Sequence, residues 1–127
     1  MQFSKINDIN IHYRDEGPSE GLPVVFSNSL GTDFRIWDNL IVEIRSGFAA
    51  QNEKSPGLRF VRYDKRGHGL TDAPALPYTM DDHVGDLVGL LDYLSIGSAM
   101  VIGLSVGGMI TQSLASGFPH RLRGIIL

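Results

Sequence analysis

Apolar and polar positions alternate from the start of the chain. Ile6, Asp8, Asn10 and His12 fall on one side, and Ile9, Ile11 and Tyr13 on the other, with Asn7-Asp8 or its neighbours as a turn. This period of two predicts an antiparallel hairpin at a sheet edge. Gly17 to Gly21, with Pro18 and Ser19, reads as a loop, and Pro23–Phe26 as a short buried strand that opens into the polar loop 27–33. Phe34–Asp38 leads into a helix through Leu40, Ile41 and Ile44. Residues 46–58 read as a flexible surface insertion, Phe60–Tyr63 as the next strand, and residues 64–77, rich in Gly and Pro, as a further loop.

The pattern then changes period. Thr79 predicts a helix cap, with Asp81 and Asp82 in the positive first turn and Val84, Leu87, Val88, Leu91 and Leu94 as the buried stripe. Ala99–Leu104 is a continuous apolar run, as expected of a strand buried on both faces. Val106, Met109, Ile110, Leu114 and Phe118 follow at helical spacing, and Gly117 and Pro119 end that helix. Gly124–Leu127 begins another buried strand. Strands alternating with helices after a starting hairpin predict an α/β fold with a mostly parallel sheet, an antiparallel edge hairpin, right-handed crossovers and flanking helices. Because the chain stops inside an apolar strand, residues 1–127 are expected to be the N-terminal part of one domain.

Composition narrows the class. With no Cys and a formal charge of −3, the chain has no disulfide framework and no Cys-based metal site, which fits a cytoplasmic protein. The first residues lack the apolar core of a signal peptide, and no apolar run is long enough to span a bilayer. Basic residues are dispersed, which argues against a nucleic-acid surface.

The candidate chemistry centres on Gly103-Leu104-Ser105-Val106-Gly107, at the junction of the apolar strand and the following helix. This is the pattern of a nucleophile elbow. Small residues two before and two after the serine permit a tight turn that lifts the hydroxyl clear of the sheet. The helix behind it aims its first amides at the same place, where they stabilise developing negative charge. The Val106 amide is one expected donor of an oxyanion hole, and the loop Ser27-Asn28-Ser29-Leu30-Gly31 supplies the other. A serine nucleophile also needs a base and an orienting carboxylate. None of the four histidines is well placed for that part. His12 lies in the edge hairpin, His83 in the solvated first turn of the Thr79 helix, and His120 on the order of 20 Å along the helix from Ser105. His68, at a strand end, reads as a loop histidine bonded to backbone. Arg35 could meet a substrate carboxylate and Trp37 could line a pocket; solvation of the first and core packing of the second are the alternatives.

Three motifs carry a resemblance. Ser27-Asn28-Ser29-Leu30-Gly31-Thr32, Tyr63-Asp64-Lys65-Arg66-Gly67-His68-Gly69 and Gly103-Leu104-Ser105-Val106-Gly107-Gly108 stand in the order seen in α/β-hydrolases. The first and third resemble the 3-oxoadipate enol-lactonases of the β-ketoadipate pathway of aromatic catabolism, and the chain matches the N-terminal half of such an enzyme. The resemblance implies an α/β-hydrolase fold and hydrolysis of 3-oxoadipate enol-lactone to 3-oxoadipate, with Ser105 as nucleophile. Many hydrolases of this fold carry His-Gly-x where alignment on Trp37-Asp38 places Asn28-Ser29-Leu30. Leu30 and Val106 are therefore the implied oxyanion donors, and Asn28, Ser29, Arg35 and Trp37 the implied substrate contacts. No cofactor or metal is implied, and the partner is a small lactone rather than nucleic acid or membrane. The catalytic Asp and His and the helical cap would lie beyond residue 127, so the 127 residues alone are expected to be inactive. The segment 46–58 is longer than the resemblance implies. Other readings are another serine hydrolase of this fold (an esterase, a carbon–carbon hydrolase or a cofactor-free haloperoxidase) and a non-catalytic truncated fragment.

Overall fold

Asn7 and Asp8 both adopt positive φ, 50° and 65°, the backbone of a two-residue turn matched to the twist of a hairpin. They fold β1 (Gln2–Ile6) onto β2 (Ile9–Glu16) with Ile6 opposite Ile9. Directly paired side chains share a face, so Ile6 joins Ile9, Ile11 and Tyr13 in one cluster instead of lying on the Asp8 side. His12 departs from the simple alternation as well. It is buried on the opposite face, between the rings of Phe3 and Phe34 at centroid distances of 4.9 and 4.7 Å. The computed structural model describes residues 1–51 and 54–127.

The hairpin is the edge of a six-stranded sheet that continues through β3 (Leu22–Ser27), β4 (Leu58–Tyr63), β5 (Ala99–Gly103) and β6 (Leu122–Ile126), in the spatial order β1-β2-β4-β3-β5-β6. The β1–β2 and β2–β4 pairings are antiparallel; β3–β4, β3–β5 and β5–β6 are parallel. The central strands are buried on both faces, which explains why they read as continuous apolar runs. Val25, Val61 and Val101 face one side with Ile11 and Tyr63, beneath Leu87, Leu90 and Leu91 of α2 (Met80–Tyr93) and Ile110 and Leu114 of α3 (Val106–Gly117). Val24, Phe26 and Phe60 face the other, packed with Phe34, Trp37 and Ile41. The outcome is a mostly parallel α/β sheet with an antiparallel edge and helices on both sides. No helix among the described residues is long and apolar enough to cross a membrane.

Three elements differ from the sequence pattern. The strand expected to be buried from Gly124 is β6, which begins at Leu122 and, as an edge strand, leaves Ile125 and Ile126 exposed. After a 3-10 turn over Phe34–Trp37, α1 runs from Asp38 to Gln51, so residues 46–51 extend a helix rather than forming part of a surface insertion. Ala49, Ala50 and Gln51 favour helix by intrinsic propensity and lack the apolar stripe by which a helix is recognised. Of the remainder of that segment, Asn52 and Glu53 lie outside the described residues, and β4 begins at Leu58. In α2 the buried stripe also includes Leu90 and the carboxylate of Asp86. Asp86 is tolerated there because Arg66 donates to both of its oxygens, at 2.7 and 2.8 Å, and the Asn7 amide adds a third bond at 3.1 Å.

Thr79 caps α2 as the pattern predicts. Its hydroxyl accepts from the Asp82 amide at 3.1 Å, and the Asp82 carboxylate accepts from the Thr79 amide at 2.8 Å. Thr79→Ala is expected to cost about 1 kcal/mol in denaturant unfolding of the protein, and Thr79→Ser to restore most of it. Equal stability of the alanine and wild-type proteins would dismiss the cap as a determinant.

Candidate active site

The crevice follows from strand order. β3 sends the chain to β4 on one side and, after α2, to β5 on the other. The loops leaving β3 and β5 therefore diverge at their carboxyl ends, the place where open α/β sheets bind ligands. Ser105 sits at that point, exposed, between β5 and the first turn of α3, with φ 56° and ψ −118°. A side chain held there stores on the order of 1–3 kcal/mol of backbone strain, which persists only if the surroundings over-determine it. They do. The Leu104 amide donates to the Ser27 carbonyl at 3.0 Å, the Gly107 amide to Leu104 O at 2.9 Å and the Met109 amide to Ser105 O at 3.1 Å.

The two glycines are dictated by contact. A Cβ on Gly107 would stand 1.9 Å from the Ser27 carbonyl oxygen, and one on Gly103 would stand 2.5 Å from the Gly107 oxygen and 2.6 Å from Thr111 Oγ1. α3 can thus start directly against the end of β3. The Thr111 hydroxyl donates back to Gly107 O at 2.8 Å, closing the turn from below. The Val106 amide belongs to the first turn of α3, where N–H groups have no partner within the helix and favour negative charge.

The facing loop is held as tightly. Buried Ser27 and Tyr63 share a hydroxyl–hydroxyl bond of 3.1 Å, and burial pushes the Tyr63 phenol well above its usual range, so it stays neutral. Asn28 is fully buried, and its amide donates to the Thr32 carbonyl and hydroxyl at 2.8 and 2.9 Å. Thr32 Oγ1 donates to Ser29 O at 2.8 Å. Lys65, buried at the end of β4, donates to Asn28 O at 2.7 Å and Ser29 O at 3.2 Å. Leu30 stands at the tip with its side chain 73% exposed.

The structure sets the elbow against the start of the loop: the Leu104 amide bonds to Ser27 O, and a Cβ on Gly107 would stand 3.0 Å from Asn28 O. It places the other candidates elsewhere. Trp37 is buried against Phe26, ring centroids 5.2 Å apart. Arg35 is exposed and forked onto Asp33 at 2.8 and 2.7 Å, a pair that holds the Asp33 carboxyl down at about 2. Arg35 also lines a cavity of about 390 Å³ with His12, Asp33, Phe34, Asp64, Gly69 and Leu70. Among the histidines, Nδ1 of His12 bonds to Asp64 at 2.8 Å, His68 bonds to Arg66 O at 3.1 Å, and His120 is exposed beside Phe118. His83 is half-buried edge-on to Tyr78 instead of solvated, and burial lowers its pKa.

The sequence reading missed Asp64 and Lys65. Asp64 accepts from His12, from the Phe34 amide at 2.9 Å and from the Leu70 amide at 3.0 Å. Both stand in the Tyr63–Gly69 motif at the end of an apolar strand, which drew attention to the segment but gave neither residue a role.

Residues 23–127 match the family model for the alpha/beta hydrolase fold. The chain is 33% identical over 120 residues to 3-oxoadipate enol-lactonase 2 of Acinetobacter baylyi, covering 94% of this chain and 41% of that protein. It is 34% identical over 119 residues to a non-heme chloroperoxidase of Streptomyces lividans, covering 93% of this chain and 40% of that one. Its structure superposes on the enol-lactonase from Burkholderia xenovorans LB400 with a TM-score of 0.86 at 35% identity, covering 98% of this chain and 45% of that chain. The chain thus spans about two fifths of the length of the curated relatives it matches.

The turn makes a contrast measurable. Gly107→Ala puts a methyl into the Ser27 carbonyl, whereas Gly117, at the far end of α3, has nothing within 4 Å of its Cβ position. Gly117→Ala is expected to stabilise the full-length protein by up to about 1 kcal/mol. Gly107→Ala is expected to destabilise it by several times that amount in chemical unfolding. If both substitutions shifted stability alike, the exclusion at the elbow would not be limiting.

Proposed function

The chain belongs to the alpha/beta-hydrolase fold family, and on that footing we propose that Ser105 is the nucleophile of a serine hydrolase of the enol-lactonase and esterase branch. The observation that carries the reading is the strained Ser105 at the head of α3, opposite the 28–30 loop at the switch point of the sheet. The proposed substrate is 3-oxoadipate enol-lactone. The enol-lactonase relatives named above support it, together with the Asn28-Ser29-Leu30 loop.

In the proposed reaction Ser105 Oγ attacks the lactone carbonyl carbon while its proton passes to a base. The oxyanion is held by the Val106 and Leu30 amides. Collapse re-forms the carbonyl and breaks the ring acyl C–O bond, and the enolate departs with the electron pair. The proton that the base took from Ser105 passes to the enolate, in net at carbon, giving the ketone of the 3-oxoadipyl acyl-enzyme and freeing the base. Water then attacks the acyl-enzyme, gives a proton to the same base, and Ser105 leaves as the protonated hydroxyl. An enolate is a good leaving group, so the oxyanion hole contributes more than general-acid help. The proposal assigns the base and its carboxylate to the further length that the relatives possess, since His12 and His68 are committed to Asp64 and to the Arg66 carbonyl. Ser29 is the proposed contact for the substrate and Asn28 supports the loop from behind; Arg35, forked onto Asp33, and Trp37, packed on Phe26, are not part of the proposed contact. The comparably similar chloroperoxidase makes peroxide-dependent halogenation the second reading.

In the full-length protein, Ser105→Ala is expected to lower enol-lactone turnover by several orders of magnitude at unchanged stability, and a fluorophosphonate probe to add its mass to Ser105. Enol-lactone turnover at the wild-type rate by Ser105→Ala would sink the assignment. Halogenation without lactone hydrolysis would select the second reading.

A further inference from the structure

Lys65 is a buried cation that makes no ion pair with a carboxylate among the described residues. Its ammonium spends two of its three donors on consecutive backbone carbonyls, Asn28 O at 2.7 Å and Ser29 O at 3.2 Å. It comes from the end of β4, whereas Ser105 comes from the end of β5, and the loop leaving β3 lies between them. A trans peptide is planar, with its C=O and N–H pointing in opposite directions. The Ser29 carbonyl and the Leu30 amide belong to one peptide. A donor that captures this carbonyl therefore directs the amide of the same peptide the opposite way.

We propose that Lys65 is a positioning residue for the oxyanion hole: by holding the Asn28 and Ser29 carbonyls it aims the Leu30 N–H at the crevice above Ser105. This rests on the reading of Ser105 as nucleophile and Leu30 as donor. Lys65 touches no reacting atom. It adds a charged donor to a carbonyl that Thr32 Oγ1 also holds at 2.8 Å, and so opposes a rotation that would let the carbonyl, a repulsive group, face the developing oxyanion.

The environment of the amine gives the arrangement a pH signature. Burial lowers the Lys65 pKa to about 8, opposed by the neighbouring Asp64 carboxylate. From α2, His83 also faces it, and that imidazole is itself held down mainly by burial. Asp64 is in turn bonded to His12. Below about pH 8 the ammonium makes two charge-assisted bonds to the loop; above it a neutral amine makes weaker ones.

The test uses the full-length protein and Lys65→Met, which keeps the apolar stem and removes the donor. We expect kcat to fall about 10- to 100-fold, somewhat less than the loss of an oxyanion donor outright, with KM changed less than twofold. The wild-type alkaline limb of kcat near pH 8 is expected to vanish in the variant. Crystal structures of both proteins are expected to show the 29–30 peptide rotated in Lys65→Met, and in the unmutated protein the Leu30 amide NMR shift is expected to titrate with a midpoint near 8. That last measurement stands even if the variant does not fold. Wild-type kcat and an unrotated peptide in Lys65→Met, or a Leu30 amide indifferent to pH from 6 to 10, would overturn the proposal. Failure of the underlying reading is distinct: it would show as an active Ser105→Ala, with the peptide geometry still answering to Lys65.

Discussion

The top of the sheet depends on an exclusion of 1.9 Å: the carbonyl oxygen of Ser27 occupies the space that a Cβ on residue 107 would need. Because nothing is there, α3 begins hard against the end of β3. Because α3 begins there, the chain leaving β5 must turn within two residues, and Ser105 takes φ 56°. The strain is stored where the chemistry is proposed, and it is held by the amide of Leu104 on Ser27 and by the first bonds of α3. The elbow and the facing loop are therefore one object built from the ends of two adjacent parallel strands.

A second object braces it. Asp64, Lys65 and Arg66 leave β4 in succession, and each reaches a different element. Asp64 takes the amides of Phe34 and Leu70 and the His12 ring. Lys65 takes the carbonyls of the 28–29 loop. Arg66 takes Asp86 on α2 and lies over the Tyr78 ring at 5.6 Å. Three charged residues in a row read as solvated, yet the first two are buried and the third is largely so. The energetic condition is that each is compensated, since an unpaired buried charge costs several kcal/mol. Loops without secondary structure of their own are ordered here by charged side chains that satisfy their backbone.

What was legible in the sequence is what local pattern can encode. The Asn7-Asp8 turn, the Thr79 cap, the elbow glycines and the strand–helix alternation each depend on residues a few positions apart. The end of α1 was not legible, because Ser46–Gln51 has helix-compatible residues without a buried stripe. Nor were the roles of His12, Asp64 and Asp86, whose partners lie far off in sequence: 52 positions separate His12 from Asp64, and 79 separate Asn7 from Asp86. Alternation put His12 on a polar face, and only the arrival of Phe34 and Asp64 from other elements makes that face an interior. Lys65 shows the same limit, since nothing near it in sequence announces that its amine will meet the 28–29 carbonyls.

The elbow also divides its own five positions into those that evolution or an engineer can vary and those that are closed. Positions 103 and 107 are closed by steric exclusion, and 105 by the conformation its hydroxyl must take. Leu104, half exposed, and Val106, partly exposed, contribute only their backbones to the turn. Leu30 and Met109 are exposed as well. Side chains at these four sites can therefore be exchanged while the turn that presents the serine stays constant. A scaffold of this kind separates the inheritance of a reactive geometry from the diversification of what it acts upon.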